Sequence, residues 1–550
     1  MRKLSWYPIL ALALVALPSA LVSQTSKEDK TAKESAKKNE LKPKFQTSDR
    51  CLACHNGLTA PSGKDVSIGF DWRSSIMANS ARDPYWQASV RREDLDHPES
   101  KALIEDECAA CHMPMARYEA KVEGHKGEVF AHLPFTDDPK KNAAAEDGVT
   151  CSICHQIGTE KLGTKESFNG GFVIDSPRAK GEHAEYGPYL IENGQAHIMQ
   201  TSSDGFRPTG DKHIQDSALC ATCHTLYTRS LGPGGQDLGL FPEQVPFLEW
   251  EHSSFANKNS CQSCHMPEIQ EDAPISGVLG VLRSGVREHT FVGANFFMLK
   301  ILNLHRGDLS VKAMPQELSV EAQRTIDFLQ SKSVRLTIRN VDVVSSQLQL
   351  DVFVENLTGH KFPTAYPSRR AWLHVVVRDR NGRTAFESGA LRPDGSIEGN
   401  DNDADPARFE PHYREIKTSD RVQIYEPILK DQDGHVTTGL LHAVGYLKDN
   451  RLLPAGFEKQ TAEKDIAVTG DAADDPNFTD AGDLIRYSVP LGDAPGPFHV
   501  DVELWYQPIG FRWAHNLSAY KAKEPQRFVE YYEASPAETA IVLAHAAATR

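Results

Sequence analysis

The ten cysteines of this 550-residue chain constrain its fold more than any other feature. They form five C-x-x-C pairs, and a histidine follows each pair directly. The five motifs are Cys51, Cys54 and His55; Cys108, Cys111 and His112; Cys151, Cys154 and His155; Cys220, Cys223 and His224; and Cys261, Cys264 and His265. With 22 histidines in the chain, five such coincidences have a chance probability of about 10⁻⁷, so one shared chemistry explains them.

Three common uses of paired cysteines leave the histidines unexplained. A disulfide framework does not require histidine after every pair. A zinc site needs two pairs or spaced histidines, and a thioredoxin-like dithiol occurs once, beside a βαβ pattern. C-x-x-C-H is the attachment signature of c-type haem, in which both sulfurs bond the porphyrin and the histidine is the proximal iron ligand. The sequence therefore predicts five covalently bound haem c groups.

The N-terminus predicts export. Residues 1–23 have a basic start, an apolar run and small residues after it, as in a secretory signal peptide, with an uncleaved anchor helix as the alternative. Residues 24–46 are rich in Lys and Glu without apolar periodicity and predict a disordered linker. No later apolar run is long enough to span a bilayer. We expect a mature protein that is periplasmic, extracellular or at the cell surface.

The histidines outside the motifs are candidates for the second axial position of each iron. Residues 47–310 contain nine of them. His289 follows the last motif in an apolar setting, and His125, His197 and His213 lie near the second and fourth motifs. Met77 lies on a predicted helix, where ordinary core packing is the simpler interpretation.

Six ordered segments resemble one branch of the multihaem (pentahaem) cytochromes c. They are SSIMANSARDPYW, CAACHMPMARYEA, DGVTCSICHQ, GPY…AH…SALCATCH, EW…CQSCHMP and HTFVGAN, within about residues 47–300. The wider superfamily includes hydroxylamine oxidoreductase and its tetrahaem cytochrome acceptor. The resemblance implies mostly bis-histidine haems packed edge to edge, with His197 and His289 as distal ligands. The chain lacks the C-x-x-C-K motif typical of pentahaem nitrite reductases, and no tyrosine can be assigned to a cross-linked catalytic haem.

The pattern changes after Val311, beyond which there is no cysteine. Apolar residues alternate in three stretches and predict strands. The stretches are Val334, Leu336 and Ile338; Leu348, Leu350, Val352 and Val354; and Phe498, Val500, Val502 and Leu504. Two further strands are expected around the Asn381-Gly382 turn. These strands predict an antiparallel β-sandwich over residues 330–515.

A short C-terminal helix is expected within residues 516–550, because Ser535-Pro536-Ala537-Glu538 is typical of a helix start. The predicted fold class is therefore α+β multidomain. A mainly helical, loop-rich pentahaem cytochrome c domain over residues 47–310 precedes the sandwich and this helical segment.

One loop between predicted strands, LTGHKFPTAYPSRR, carries His360, Arg369 and Arg370. It resembles a loop in β-domains fused to some multihaem cytochromes. We expect His360 to ligate a haem iron and the arginines to lie near propionates, which guanidinium groups bind through paired hydrogen bonds. An exposed loop histidine is the alternative. Two acidic loops, NDNDADPARFE and KDQDGHV, are candidates for calcium, but neither has EF-hand spacing and solvated loops are the simpler interpretation.

Three functions fit these features. The first is an exported electron carrier that exchanges electrons with redox protein donors and acceptors. The second is a multihaem oxidoreductase acting on a small nitrogen or sulfur species at one open haem; the surplus histidines and the missing C-x-x-C-K motif favour the carrier. The third is a subunit of a conducting filament or surface complex, assembled through the sandwich. The net charge of −15 argues against nucleic acid as a partner.

Overall fold

The structure, a computed structural model, describes residues 45–175 and 182–550. The predicted signal peptide and almost all of the predicted linker lie outside the described residues. Within the described ranges, no helix is long and apolar enough to cross a membrane.

The cysteine-rich region, residues 45–312, consists of short helices joined by loops and small sheets. Its helices are α1 Ser48–His55, α2 Ile68–Ser74, α3 Pro84–Asp96, α4 Lys101–His112, α5 Pro114–Val122, α6 Pro139–Glu146, α7 Cys151–Cys154, α8 Asn193–Ser202, α9 Ser217–Ala221, α10 Pro246–Glu251, α11 Cys261–His265 and α12 Phe296–Leu304. Its paired strands are β1 His183–Gly187 with β2 Phe206–Gly210, β3 Leu226–Gly232 with β4 Gln236–Gln244, and β5 Ala273–Pro274 with β6 Leu282–Arg283.

Helix α3 illustrates why these segments are helical. Pro84 occupies the first turn, where its missing N–H is not needed. The Asp83 carboxylate accepts hydrogen bonds from the backbone N–H groups of Tyr85 and Trp86 and so caps the free donors of that turn. This helix later contributes residues to the candidate site.

The rest of the chain begins with helix α13 Pro315–Lys332 and is dominated by strands. The elements are β7 Val334–Val344, β8 Gln347–Asn356, β9 Arg370–Arg378, β10 Thr384–Ser388, α14 Asp401–Ala404, β11 Glu415–Ile416, β12 Ile424–Tyr425, β13 Pro427–Lys430, β14 Val436–Thr437, β15 Gly445–Asp449, β16 Asp483–Pro490, β17 His499–Gln507, α15 Phe511–His515, α16 Lys523–Glu533 and β18 Ile541–Thr549. One sheet has the order β11-β16-β8-β7, and another has the order β10-β9-β17-β18 with β12 beside β9.

These two sheets, here called the facing sheets, share one apolar core. Neighbouring strands in them are antiparallel except for β11 and β16. Val352 of β8 and Val375 of β9 are fully buried in the same cluster. Phe386 of β10 meets Tyr487 of β16 with ring centres 6.3 Å apart. A third, smaller sheet has the order β14-β13-β15.

The strands predicted from alternating apolar residues are present at β7, β8 and β17. The predicted turn between β9 and β10 also forms, and Gly382 there has a φ of 75°, which glycine adopts without steric cost. Period-2 alternation indicated these strands because each has one side buried against the opposite sheet.

The helix predicted to begin at Ser535 is wrong. Pro536 starts only a three-residue 3₁₀ turn, and the chain then forms strand β18 along β17, with Val502 opposite Ala546. The β-branched Ile541 and Val542 suit a strand, and pairing with β17 satisfies backbone groups that the local helix-start signal cannot. The segment 516–550 thus contains helix α16 followed by a strand.

Candidate haem-binding cavity

A cavity of about 1640 Å³ lies inside the cysteine-rich region and reaches the loop after β8. All ten cysteines and all five motif histidines line it. Pockets for one small ligand usually measure roughly 300–1000 Å³. The cavity is therefore large enough for several bulky groups, and the thiols that would bond them lie on its wall.

Each motif lies on a short helix or at its end. The helices concerned are α1, α4, α7, α9 and α11. Positions i, i+3 and i+4 of a helix share one face, so one turn directs both sulfurs and the imidazole toward the same space. In the third motif the Thr150 hydroxyl starts this turn by accepting a hydrogen bond from the Ile153 N–H at 3.1 Å.

Four of the motif histidines donate the Nδ1–H to a backbone carbonyl. The pairs are His55 with Ile275 at 2.5 Å, His112 with Ser80 at 3.0 Å, His155 with Tyr186 at 2.5 Å, and His265 with Val292 at 2.6 Å. A carbonyl oxygen only accepts, so Nδ1 carries the proton. This fixes the tautomer whose Nε2 has a free lone pair, as metal-bound histidines require.

Burial keeps the imidazoles on the cavity wall neutral. It lowers the pKa of His112 and of His224 to about 4. It also lowers the pKa of His289 to about 3 and that of His360 to about 4. The neutral ring is the form that binds a metal ion.

Two further histidines lie on the cavity wall, and each faces a motif histidine. The ring centres of His155 and His289 are 6.4 Å apart with planes 18° from parallel. Those of His265 and His360 are 6.3 Å apart at 14°. Metal–imidazole bonds of about 2 Å on both sides of one ion would place the ring centres about 6 Å apart. The spacing of both pairs suits one metal ion between two rings.

The other predicted distal histidines do not line the cavity. His125 and His197 are exposed. His213 has Nε2 at 2.9 Å from the Ile157 carbonyl, and its Nδ1 lies 3.0 Å from an Asp211 oxygen. These three residues are therefore not brought to a motif histidine in this structure.

Helix α8 shows why the sequence-based choice of His197 differs from the structure. Ile198, Met199 and Ser202 line the cavity, and they occupy one helical face that excludes His197. Sequence reasoning missed Met199, although helical periodicity places it opposite the polar side. Met77 also lines the cavity, although the sequence favoured ordinary core packing for this residue.

The two arginines after His360 have different positions. Arg369 lines the cavity. Burial is the main cause of the lowered pKa of His224, and the charge of Arg369 lowers it further. Arg370 instead forms a buried two-point ion pair with Asp403 at 2.8 and 2.9 Å. The prediction that Arg370 lies near a propionate is wrong, because Asp403 already occupies its guanidinium.

Carboxylates of both acidic loops are engaged in local contacts. In the first loop, Asp403 pairs with Arg370 and Asp401 pairs with Arg408. In the second, the Asp431 carboxylate accepts the N–H groups of Asp433 and His435 at 2.9 Å. Guanidinium groups in the first loop and backbone donors in the second thus take some of the carboxylate oxygens that calcium would use.

Contacts between thiols show which motifs are neighbours. Three hydrogen-bonded thiol pairs join different motifs: Cys51 with Cys151, Cys111 with Cys223, and Cys220 with Cys261. The hydrogen bond and burial raise the pKa of Cys51, Cys111 and Cys220. Burial raises the pKa of Cys154 to about 12, and the charge of Cys223 adds to this. The first motif therefore adjoins the third, and the fourth adjoins the second, third and fifth.

Comparison with known proteins gives one structural likeness. The chain is similar to the crystal structure of a penta-heme cytochrome c552 from Thermochromatium tepidum, with 15% identity and a TM-score of 0.49, over 92% of this chain and 99% of that one. No protein-family model and no curated protein matches. Values this low establish neither fold nor function.

Proposed function

We propose that the protein is an exported pentahaem c-type cytochrome that carries electrons along covalently bound haem groups. One observation carries this proposal: all ten cysteines and all five motif histidines line one cavity. When bound, haem iron supplies reversible one-electron chemistry. The chain's own residues hold the groups, set the axial ligands and exclude water.

His289 and His360 are the proposed distal ligands of the third and fifth irons. Their rings face His155 and His265 at separations that suit a shared iron. The Nδ1 atoms of His289 and His360 lie 3.1 and 2.9 Å from the carbonyls of Arg287 and Lys361, so Nε2 remains available. The loop carrying His360 would thus complete a site whose thiols belong to the cysteine-rich region.

The other three irons need a different account. All 22 histidines lie within the described residues, and only the five motif histidines, His289 and His360 line the cavity. Met77 and Met199 are the remaining candidates with a ligating sulfur, since methionine serves as an axial ligand in some cytochromes. We therefore propose two bis-histidine haems and up to three with methionine or an open position.

The neighbouring motifs define a route for electrons. Thiol contacts support a line from the first motif through the third and fourth to the fifth, with the second as a branch beside the fourth. Such a route would pass electrons between two protein partners.

A second function is favoured by one specific observation. Because three motif histidines face no second histidine, an open iron could bind a small nitrogen or sulfur species and make the protein an oxidoreductase. Detection of a high-spin iron that binds carbon monoxide in the wild-type protein would favour this activity over simple transport.

Mass spectrometry and paramagnetic resonance test the proposal together. The denatured, haem-loaded chain should carry five haem additions and should lack residues 1–23; fewer additions would contradict the count, and retention would contradict the processing. His289→Ala and His360→Ala should each convert one low-spin haem to high spin. His125→Ala, which changes an exposed histidine, is the matched control. Wild-type spectra in both cavity variants would refute the ligand assignment.

A further inference from the structure

A cluster of two histidines and a glutamate lies outside the proposed haem ligands. It consists of Glu93 on α3, His97 directly after that helix, and His442 in the loop between β14 and β15. Their potential ligand atoms all lie within 4.8 Å of one another. Glu93 lines the haem cavity whereas His97 and His442 do not, and none of the three is a proposed haem ligand.

Two buried polar atoms in this cluster lack hydrogen-bond partners among the described residues. They are Nε2 of His97 and Oε2 of Glu93, and each side chain belongs to a residue that is only 3% exposed. Buried polar atoms are nearly always paired, so two orphaned atoms beside each other require an explanation. The imidazole rings of His97 and His442 also come close, with centres 4.5 Å apart.

The surrounding structure holds the cluster in place. Glu93 accepts the Leu440 N–H through its other oxygen at 2.9 Å. Arg92, the adjacent cation, donates to the Thr438 carbonyl at 2.8 Å and pairs with Asp96 at 3.5 Å. The loop carrying His442 is therefore fixed against α3 by contacts that do not involve the orphaned atoms.

We propose that Glu93, His97 and His442 bind a divalent first-row transition-metal ion such as Zn²⁺. Two imidazole nitrogens and one carboxylate form a ligand set that zinc and ferrous iron use, with at least one position left for water. Calcium and magnesium prefer oxygen ligands alone and fit this set poorly. The ion would join α3 of the cysteine-rich region to the β14–β15 loop.

Zinc titration of the full-length, haem-loaded and chelator-treated protein tests this site. We expect one Zn²⁺ per chain by calorimetry and elemental analysis. His442→Ala should weaken binding by at least about tenfold, because even the loss of outer-sphere partners costs 10–100-fold. His435→Ala is the matched control, since His435 lies in an exposed cluster with Asp431 and Asp433; it should bind like the wild type.

X-ray absorption of the zinc-loaded wild type keeps the test independent of any folding defect in the variants. We expect nitrogen and oxygen neighbours at about 2.0–2.1 Å with scattering from two imidazoles. Absence of stoichiometric zinc, unchanged affinity in His442→Ala, or loss only in His435→Ala would overturn the site. Sulfur neighbours near 2.3 Å would also overturn it, and would show that thiols remain free, which contradicts the haem proposal separately.

Discussion

The cysteine-rich region and the facing sheets fill their interiors in different ways. The sheets and the elements packed on them share one large apolar cluster that includes Leu350, Val375 and Leu504, all fully buried. In the cysteine-rich region most of the apolar residues divide into smaller clusters around the cavity. A region whose side chains leave its centre open needs bound groups to complete its core.

This difference predicts where folding depends on a cofactor. Binding free energy becomes folding free energy when a site does not exist in the unfolded chain. The sheets bury alternating apolar side chains and so can be stable through their own contacts. The cysteine-rich region should be stable only when its cavity is filled.

The largest effect is expected from removing a central attachment. Replacing Cys151 and Cys154 with serine should remove the third haem and expose the cysteine-rich region to limited proteolysis, while the facing sheets resist. The third motif adjoins both the first and the fourth, so its loss should disturb more than one site. Fragment masses after brief digestion provide the measurement.

The control for that variant lies inside the same motif. Ile153→Val keeps both sulfurs and should cost only about 0.5–1.5 kcal/mol of stability. If the double serine variant is digested no faster than Ile153→Val, the comparison between the two regions fails.

A buried ion cluster links the two regions, and its loss should produce the next largest effect. Arg451 pairs with Asp449 at 2.8 Å and with Glu249 of α10 at 2.9 Å, and all three side chains are at most 4% exposed. Arg451→Met should cost about 3–5 kcal/mol, because two buried carboxylates lose a partner. Denaturant unfolding measures this loss in the free energy of unfolding.

Arg335→Met supplies a matched arginine control at the surface. Arg335 pairs with Glu355 at 2.6 Å but is 62% exposed, so its removal should cost at most about 1 kcal/mol. Equal losses in the two variants would mean that the buried cluster does not couple the regions.

The same comparison explains what the sequence could predict. Strands such as β8 and β17 were predictable because one buried side imposes a two-residue period. The five motifs were predictable because covalent chemistry demands fixed spacing. The partner of Arg370 was not, since Asp403 is 33 residues away and the pair depends on how the sheet packs. Strand β18 was missed because its pairing with β17 outweighs the local helix signal.

Lowering the pH should weaken the buried ion cluster more gradually than the Arg451→Met substitution does. Burial alone would raise the pKa of Asp449, but Arg451 and Lys361 hold it well below its usual range. The stability that the ionised Asp449 contributes is therefore complete above its pKa of about 4 in the unfolded chain. It is lost as the pH falls from there toward the pKa of Asp449 in the folded protein. Between about pH 5 and pH 3 the wild type should lose stability more steeply than Arg451→Met. Parallel slopes would contradict the role of Arg451.

The smallest effect is expected at His197, and it tests the resemblance most directly. The resemblance implies a distal ligand there, whereas α8 turns His197 outward and Met199 inward. His197→Ala should change stability by no more than about 0.5 kcal/mol, as for other exposed positions, and should leave every haem signal unchanged. Met199→Ala, two positions along the same helix, is the informative partner, because its side chain lies on the cavity wall. If His197→Ala converts one iron to high spin and Met199→Ala does not, α8 must rotate when the cavity is filled, and the cysteine-rich region would then depend on its bound groups for helix orientation as well as for stability.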